Sequence, residues 1–314
     1  MSLDVVRGYF REYYSSSKLS PPRDMEKREF GFLAFGKNIM LRHRTFRDLN
    51  ELRGFIVRRV PAHVYHSAAY YTHPSEDMGG KGWVGASLIF DIDADHLPTP
   101  CKEAHDSWIC ESCGRGGKGK GPGTCECGGR IREDVWFCEE CLEAAKAEVI
   151  KLLAILFDDF GLAPGKVRVY FSGHRGFHVH VDDEELGGLD QLQRKEIVDY
   201  LTATGLKIDK IISEVETGAG KLIFGPSTGD PGWRGRLARG VYDFLIGATE
   251  ERMGKTGLGL ETIRKLIKNR ESMAEPSDIP WNLKGLGLQS WRKIAMSALE
   301  NERVRIDTVV TTDI

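Results

Sequence analysis

The sequence lacks an excess of charge of either sign. Its 44 lysines and arginines nearly cancel its 46 aspartates and glutamates, which leaves a formal net charge of −2. A protein that binds nucleic acid usually carries a clear basic patch or basic excess. Any contact of this chain with a polyanion must therefore come from local basic patches or from bound metal ions.

Long apolar runs and scattered cysteines are also missing. No stretch reaches the roughly 18 apolar residues that span a bilayer, and residues 1–10 lack the basic-then-apolar order of a signal peptide. All seven cysteines lie between Cys101 and Cys141. Such clustering without an export signal indicates metal binding in a reducing compartment rather than disulfides. We therefore expect a cytoplasmic protein with no membrane segment.

The apolar pattern predicts a chain that combines helices and strands. With 314 residues, 41% of them apolar, the chain can bury a sizeable core. Residues 142–160 show helical spacing, whereas residues 83–92, 167–171 and 177–181 show strand character. The predicted segments are an α/β domain in two parts (1–98 and 142–206), a cysteine-rich insert (99–141), a mainly helical subdomain (207–301) and a returning strand (302–314).

Two carboxylates stand at the end of the strongest strand. Because side chains alternate along a strand, Asp91 and Asp93 point to one face and Ile92 to the core. Adjacent carboxylates need a cation between them, or one of them takes up a proton. The pair therefore predicts Mg²⁺ or Mn²⁺, and two such ions could activate a 3′-hydroxyl and stabilise leaving pyrophosphate. Asp307, in a strand-like segment, offers a third carboxylate.

These acids admit other interpretations. A solvated acidic strand end is the simplest one, and Asp307 by itself is more readily an ordinary polar strand residue. An aspartyl-phosphate hydrolase would use Asp91 as its nucleophile, since its signature also places Asp-x-Asp after an apolar strand. That signature has Thr or Val where this chain has Asp95.

The strands at 167–171 and 177–181 predict a hairpin around Ser-Gly-His-Arg-Gly (residues 172–176). Glycines let backbone N–H groups approach an anion, and a forked guanidinium suits phosphate oxygens. Alternation places Ser172 and His178 on one face, with His180 as a weaker member of the set. The candidate phosphate-binding residues are Ser172, Gly173, His174, Arg175 and His178. An ordinary hairpin with a basic, solvated turn is the alternative.

The insert contains eight candidate metal ligands, enough for two tetrahedral sites. A nested pairing is the simplest, because four of the ligands flank the insert and four flank its glycine-rich and lysine-rich tip. The outer set is Cys101, His105, Cys138 and Cys141, and the inner set is Cys110, Cys113, Cys125 and Cys127. Other pairings, or one vacant site, stay open. Two structural Zn²⁺ ions are expected, and a non-catalytic zinc-ribbon adaptor for nucleic acid or protein is a third functional hypothesis.

The sequence resembles the archaeal primase small subunit and, more distantly, its eukaryotic counterpart. The matching segments are REFGF (28–32), MLRHRTF (40–46), YHSAAYY (65–71), LIFDIDADH (88–96), FSGHRGFHVHV (171–181) and RIDTVVTTDI (305–314). The aspartate segment and the Ser-Gly-x-Arg-Gly segment are the specific ones. Together the segments extend over nearly the whole chain in the family's order.

The resemblance implies a function and a set of roles. It implies an α+β fold, a mixed-sheet primase catalytic domain with a zinc insert and a helical subdomain. Such a domain makes primers from nucleoside triphosphates on single-stranded DNA as the partner of a large subunit. By the same resemblance, Asp91, Asp93 and Asp307 hold the catalytic metals, and Ser172, Arg175 and His178 contact the triphosphate. Glu29 and Arg42 lie around the site, and the outer four ligands form the family's zinc motif.

The resemblance also marks one departure. Family members continue past the third aspartate with a basic strand and a nucleotide-binding segment, whereas this sequence ends at Ile314. We therefore expect a shortened chain whose full activity depends on that further segment.

Overall fold

A three-stranded sheet opens the fold in the computed structural model, which describes residues 2–218, 220–270, 279, 281–283 and 285–312. Its order is β2-β1-β3, with β1 (Phe30–Leu33), β2 (Met40–Arg44) and β3 (His63–His66). Helices α1 (Leu3–Ser16) and α2 (Leu49–Arg59) belong to the same unit. A small core of its own stabilises this unit and comprises Tyr14, Met25, Phe30, Phe32, Phe46, Leu52, Ile56 and Val60.

Three strands then lead to the predicted acids. β4 (Ala69–Tyr71) and β5 (Trp83–Ala86) form an antiparallel pair, and β6 (Leu88–Asp93) follows. Leu88, Phe90 and Ile92 are at most 1% exposed, which confirms the alternation that places Asp91 and Asp93 on the opposite face. A single 3₁₀ turn (Ala94–His96) ends the strand.

The insert folds around a small sheet. A short helix, α3 (Lys102–His105), precedes β7 (Ser107–Cys110), β8 (Gly116–Lys118) and β9 (Ile131–Asp134), which pair in the order β8-β7-β9. The insert returns to the main body at the start of the long helix α4 (Glu139–Asp158).

The predicted hairpin completes the central sheet. β10 (Val167–Phe171) pairs antiparallel with β11 (Gly176–Val181), and β11 pairs antiparallel with β6, so that the order is β10-β11-β6. Helix α4 packs against β6 and β11 and buries Leu152, Ile155 and Leu156. The mixture of helices and sheets bears out the α+β class.

The segment predicted as a helical subdomain is mainly helical, with one correction. After α5 (Glu184–Gly187), α6 (Gln191–Leu201) and α7 (Ile208–Ile211), a hairpin of β12 (Ser213–Thr217) and β13 (Gly220–Phe224) appears, which the sequence analysis missed. The other helices described are α8 (Gly232–Gly247), α9 (Glu250–Lys255), α10 (Leu260–Lys268) and α11 (Leu288–Glu302). Their buried residues join one apolar cluster with those of β6 and α4, so this segment shares the main core.

The strand predicted for the last segment is wrong. Only Asp307 forms a bridge to the sheet, opposite Asp91, and α12 (Thr308–Thr312) follows at once. The Asp307 carboxylate accepts a hydrogen bond from the Val309 N–H at 3.0 Å, which starts the helix in spite of its β-branched residues. Residues 313–314 of the predicted strand lie outside the described residues. No helix in the described part of the chain is long and apolar enough to cross a membrane.

Candidate active site and metal clusters

The three predicted acids come together at one end of β6. Asp91 and Asp93 share a strand face, and the Asp307 N–H donates a 2.8 Å hydrogen bond to the Asp91 carbonyl. We call these three residues the acid site. On the other side of Asp91, His178 is its register partner in β11, and their nearest side-chain atoms (Nε2 and Oδ1) lie 3.5 Å apart.

The electrostatics of the acid site favour a bound cation. Burial raises the pKa of Asp91, and the nearby charges of Asp93 and Asp307 raise it further, while His178 opposes the rise. A divalent cation would remove this penalty because it stabilises the charged form. The three carboxylates are gathered less tightly than the cysteine sets: within the described ranges, only the two cysteine sets have all ligand atoms within 4.8 Å of one another.

The tip of the hairpin is ordered by its own serine. We call residues 172–176 the hairpin loop. The Ser172 hydroxyl accepts hydrogen bonds from the N–H groups of Gly176 (3.1 Å) and His174 (3.4 Å), and Gly173 has φ +89°. Gly176 is required by space, since a Cβ there would lie 2.4 Å from the Ile92 carbonyl oxygen. Ser172 and Gly173 remain exposed beside the acid site.

Arg175 requires a correction. The sequence predicts a guanidinium that binds phosphate oxygens at the loop, but in this structure the side chain is only 2% exposed. Its guanidinium contacts the carboxylate of Asp95, lies 3.3 Å from that of Asp106, and donates to the Trp136 carbonyl at 2.8 Å. Two acids flanking a basic residue explain why it turns inward, and neither could be recognised as its partner from sequence spacing.

His178 and His180 lie on the same strand face in different environments. The His178 side chain is 44% exposed and faces the acid site. The His180 ring lies 5.0 Å from the ring of Tyr170 and 6.4 Å from that of His66. Burial, together with the charges of His66 and His178, lowers the pKa of His180 to about 4. His178 is therefore the histidine placed to meet a ligand.

Glu29 is the buried centre of an ion cluster in the N-terminal sheet, and Arg42 contacts it from the exposed side. Glu29 is 5% exposed, and its carboxylate contacts the ammonium of Lys81 and lies 3.2 Å from Nε of Arg42. Burial alone would raise the pKa of Glu29, but hydrogen bonds from Lys81, the His43 N–H and Arg42 hold it below its ordinary value. Sequence reasoning missed Lys81, which is 1% exposed, because a lysine among glycines carries no periodic signal.

The outer cysteine set closes the base of the insert. The candidate ligand atoms of this set all lie within 4.8 Å of one another. We call the set cluster one, and its members are Cys101, His105, Cys138 and Cys141. Nε2 of His105 lies 3.3 Å from Sγ of Cys141, and Nδ1 lies 2.8 Å from Oδ1 of Asp106. Burial and the neighbouring thiols raise the pKa of Cys101 to about 12. Thiols crowded in this way become thiolates when a metal cation holds them.

The inner set forms a second group at the tip of the insert. Its sulfur atoms also lie within 4.8 Å of one another. We call this set cluster two, and its members are Cys110, Cys113, Cys125 and Cys127. The Sγ atoms of Cys110 and Cys127, and those of Cys113 and Cys125, lie 3.6 Å apart. The structure thus gathers the eight ligands in the two groups that the nested pairing predicts. Each group could hold one metal ion.

Comparisons with known proteins point to one family. Residues 124–314 match the family model described as DNA primase small subunit. The chain is 36% identical over 307 residues to the DNA primase small subunit PriS of Methanothrix thermoacetophila, which covers 96% of this chain and 65% of that protein. The same protein of Saccharolobus islandicus is 38% identical over 247 residues (77% and 68%), and that of Archaeoglobus fulgidus is 41% identical over 203 residues (63% and 50%). The chain thus spans half to two thirds of the length of these relatives.

Proposed function

The chain belongs to the DNA primase small subunit family, and from this premise we propose that it synthesises short primers from nucleoside triphosphates on a single-stranded DNA template. The observation that carries the proposal is the joining of Asp307 to Asp91 beside Asp93. Carboxylates from distant parts of a chain have no reason to converge at a half-buried strand end unless a cation compensates them.

The acid site would hold two Mg²⁺ or Mn²⁺ ions, which suit oxygen ligands. Such ions lower the barrier to attack of a 3′-hydroxyl and stabilise the leaving pyrophosphate. The chain itself supplies the positions of the carboxylates, with Asp93 and Asp307 each fixed by a backbone N–H, from Asp95 and Val309 respectively.

The hairpin loop would bind the triphosphate beside the metals. The groups that face outward there are the side chains of Ser172, His174 and His178 and the exposed backbone of Gly173. His178 can donate a hydrogen bond to a phosphate oxygen while its ring stays close to Asp91. Arg175 contributes through the shape of the loop, because its guanidinium is engaged inside the protein. Glu29 and Arg42 are proposed to border the nucleotide site.

The two cysteine clusters would hold structural Zn²⁺. Three thiolates with one imidazole, and four thiolates, are both sets that Zn²⁺ takes in tetrahedral sites. Four protein ligands leave no position for water or substrate, so these ions would stabilise the insert without taking part in the chemistry. The non-catalytic adaptor and the aspartyl-phosphate hydrolase are not favoured by the family relationship.

Family membership also supports a partner and a location. We propose that the chain acts as the catalytic partner of a primase large subunit in a heterodimer, and that it works in the cytoplasm, where the thiols of the insert stay reduced.

The first test is primer synthesis by an acid-site variant. The chain is incubated with poly(dT), ATP and Mn²⁺, and the oligonucleotide products are resolved by gel electrophoresis. Asp91→Asn keeps the shape but removes the negative charge, so we expect synthesis to fall about a hundredfold or more, because bound metal supplies several kcal/mol of transition-state stabilisation.

The matched control is Asp209→Asn, whose carboxylate is 72% exposed and pairs with Arg292 away from the acid site. It should make primers at the wild-type rate. A parallel phosphatase assay tests the hydrolase alternative. Primer synthesis that survives in an Asp91→Asn/Asp93→Asn double variant would contradict the proposed function.

A further inference from the structure

One carboxylate connects cluster one to the hairpin loop. Asp106 follows the metal-ligand candidate His105, and its Oδ1 lies 2.8 Å from Nδ1 of that ring. The same carboxylate lies 3.3 and 3.4 Å from Nη1 of Arg175, through its two oxygens. Asp106 is 7% exposed and Arg175 is 2% exposed, so water does not separate these groups.

A second set of contacts reinforces the same connection. The Trp136 N–H donates to Oδ1 of Asp106 at 3.1 Å, and the Trp136 carbonyl accepts from Arg175 at 2.8 Å. The neighbouring Phe137 ring lies 6.2 Å from the ring of His174 in the hairpin loop. Phe137 directly precedes Cys138, another candidate ligand of cluster one.

Arg175 in turn fixes the loop to the strand that carries the acids. Its carbonyl accepts a 3.1 Å hydrogen bond from the Ala94 N–H, one residue after Asp93, and its guanidinium contacts Asp95. Together with the pairing of Gly176 and Asp93, the position of Arg175 therefore helps to set the distance between the hairpin loop and the end of β6. Contacts that fix the Asp106 side chain therefore also stabilise the position of the hairpin loop relative to β6.

We propose that Asp106 is a positioning residue that couples metal binding at cluster one to nucleotide binding at the hairpin loop, through Arg175. The expected effect on nucleotide affinity rests on the proposed function. The mechanical connection, in which cluster one fixes the hairpin loop through Asp106 and Arg175, does not. A carboxylate that accepts the second ring N–H of a metal-bound histidine fixes the orientation of that ring. Here the same carboxylate also shares the compensation of a buried guanidinium with Asp95, so the loss of Asp106 or of Arg175 removes one charge partner from the other at a buried position.

The coupling can be measured with a double-mutant cycle. Cys138→Ser removes one ligand from cluster one, and Asp106→Asn keeps the size of the side chain but removes its charge. We expect each single variant to weaken the binding of a fluorescent ATP analogue about fivefold or more, the usual lower range for coupled sites. The double variant should bind no more weakly than either single variant, because both substitutions break one connection.

The control is the same thiol-to-hydroxyl change in cluster two. Cys125→Ser should leave nucleotide affinity near the wild-type value, and its effect should add to that of Asp106→Asn. The metal content of each variant is measured by atomic emission, so that a change in loading is separated from a change in coupling. If Asp106→Asn does not fold, Arg175→Lys replaces it, since it keeps the charge but loses the forked contact.

Hydrogen exchange without nucleotide separates this inference from the proposed function. Amide exchange at residues 173–176 should quicken in Cys138→Ser and in Asp106→Asn, and not in Cys125→Ser. If exchange quickens in Cys138→Ser and Asp106→Asn but neither the wild type nor any variant binds nucleotide, the mechanical connection is retained and the proposed function is rejected. Unchanged exchange, or strictly additive effects in the cycle, would overturn the role of Asp106.

Discussion

His178 and His180 illustrate at the residue scale how environment divides the roles of identical side chains. Both point from the same face of β11, and the His180 ring packs against the rings of Tyr170 and His66, whereas His178 faces Asp91. Burial there opposes the charged form, so His180 stays neutral at pH 7. A neutral, packed imidazole stabilises the sheet, whereas the exposed one beside Asp91 can meet a ligand.

We predict that His180 makes the stability of the protein depend on pH. Its pKa is about 4 in the fold, against 6.5 for an unperturbed histidine, so the unfolded chain binds a proton first as the pH falls. Stability is therefore complete above about pH 6.5 and declines toward pH 4, by about 1–2 kcal/mol once solvent screening of the partly exposed ring is taken into account. His180→Asn should flatten this decline in urea titrations at pH 7 and pH 4.5.

The exposed His73 provides the comparison for this experiment. His73→Asn should retain the wild-type dependence on pH, because it leaves unchanged the rings of Tyr170 and His66 that contact His180. A His180→Asn variant that lost stability as steeply as the wild type over this range would assign the decline to other groups.

At the scale of elements, the junction between β11 and β6 determines where the hairpin loop lies. Gly176 pairs with Asp93, and the close approach of the two backbones leaves no room for a side chain. The register of this pairing also brings His178 opposite Asp91. One glycine thus secures the geometry of both the loop and the acid site.

We expect Gly176→Ala to lower the free energy of unfolding by about 1–3 kcal/mol, the usual cost of overpacking. Its Cβ would meet the Ile92 carbonyl, and backbone cannot move aside as a flexible side chain can. Mn²⁺ affinity should fall with it, which calorimetric titration would detect. Gly165→Ala is the matched control, because nothing lies within 4 Å of a Cβ there, and equal losses in both variants would reject the steric explanation.

Sequence patterns predicted the elements whose signals are local. The alternation of apolar and polar residues in 88–93 and 167–181 was sufficient to predict β6 and the β10–β11 hairpin. The β12–β13 hairpin was missed because its strand residues are mostly exposed and carry glutamate and lysine, as in Glu214 and Lys221, instead of an apolar alternation. The strand predicted near the end failed because a capping carboxylate outweighed the β-branched residues of α12.

The candidate site was predictable to a similar extent. Clustered ligands and paired acids are visible in sequence because their chemistry requires a certain spacing. Arg175 was placed wrongly because its partners, Asp95 and Asp106, come from two other segments. Lys81 and Asp106 carry no spacing signal at all, and only the contacts with Glu29 and His105 reveal them.

On the scale of the whole molecule, the position of Asp307 depends on hydrogen bonds and an ion pair between α4 and the segment that follows α11. Glu148, 5% exposed on α4, accepts from the Arg305 N–H at 2.9 Å and lies 3.3 Å from its guanidinium. Lys151, also on α4, donates to the carbonyls of Asn301 and Arg303 at 3.0 Å. These contacts direct the chain back to the sheet two residues before Asp307.

We predict that Glu148→Ala weakens Mn²⁺ binding by about tenfold and lowers stability by about 3 kcal/mol, since it leaves the Arg305 N–H and Lys151 without their buried partner. The control is Glu143→Ala on the same helix, whose pair with Lys146 is exposed and should contribute almost nothing. Calorimetric titration and urea unfolding of both variants would check this. Mn²⁺ affinity that stayed at the wild-type value in Glu148→Ala would show that Asp307 is placed by other contacts.

The bridge between Asp91 and Asp307 has a consequence for synthesis of the chain on the ribosome. The apolar faces of β6 and α4 can pack while translation continues, but residue 307 emerges after almost all of the core. A nascent chain can therefore become compact well before the three carboxylates proposed to bind catalytic metal are together. Under the proposed function, chemistry at the acid site starts only after Asp307 has been made, because Asp307 is the last of the three acid-site carboxylates to leave the exit tunnel.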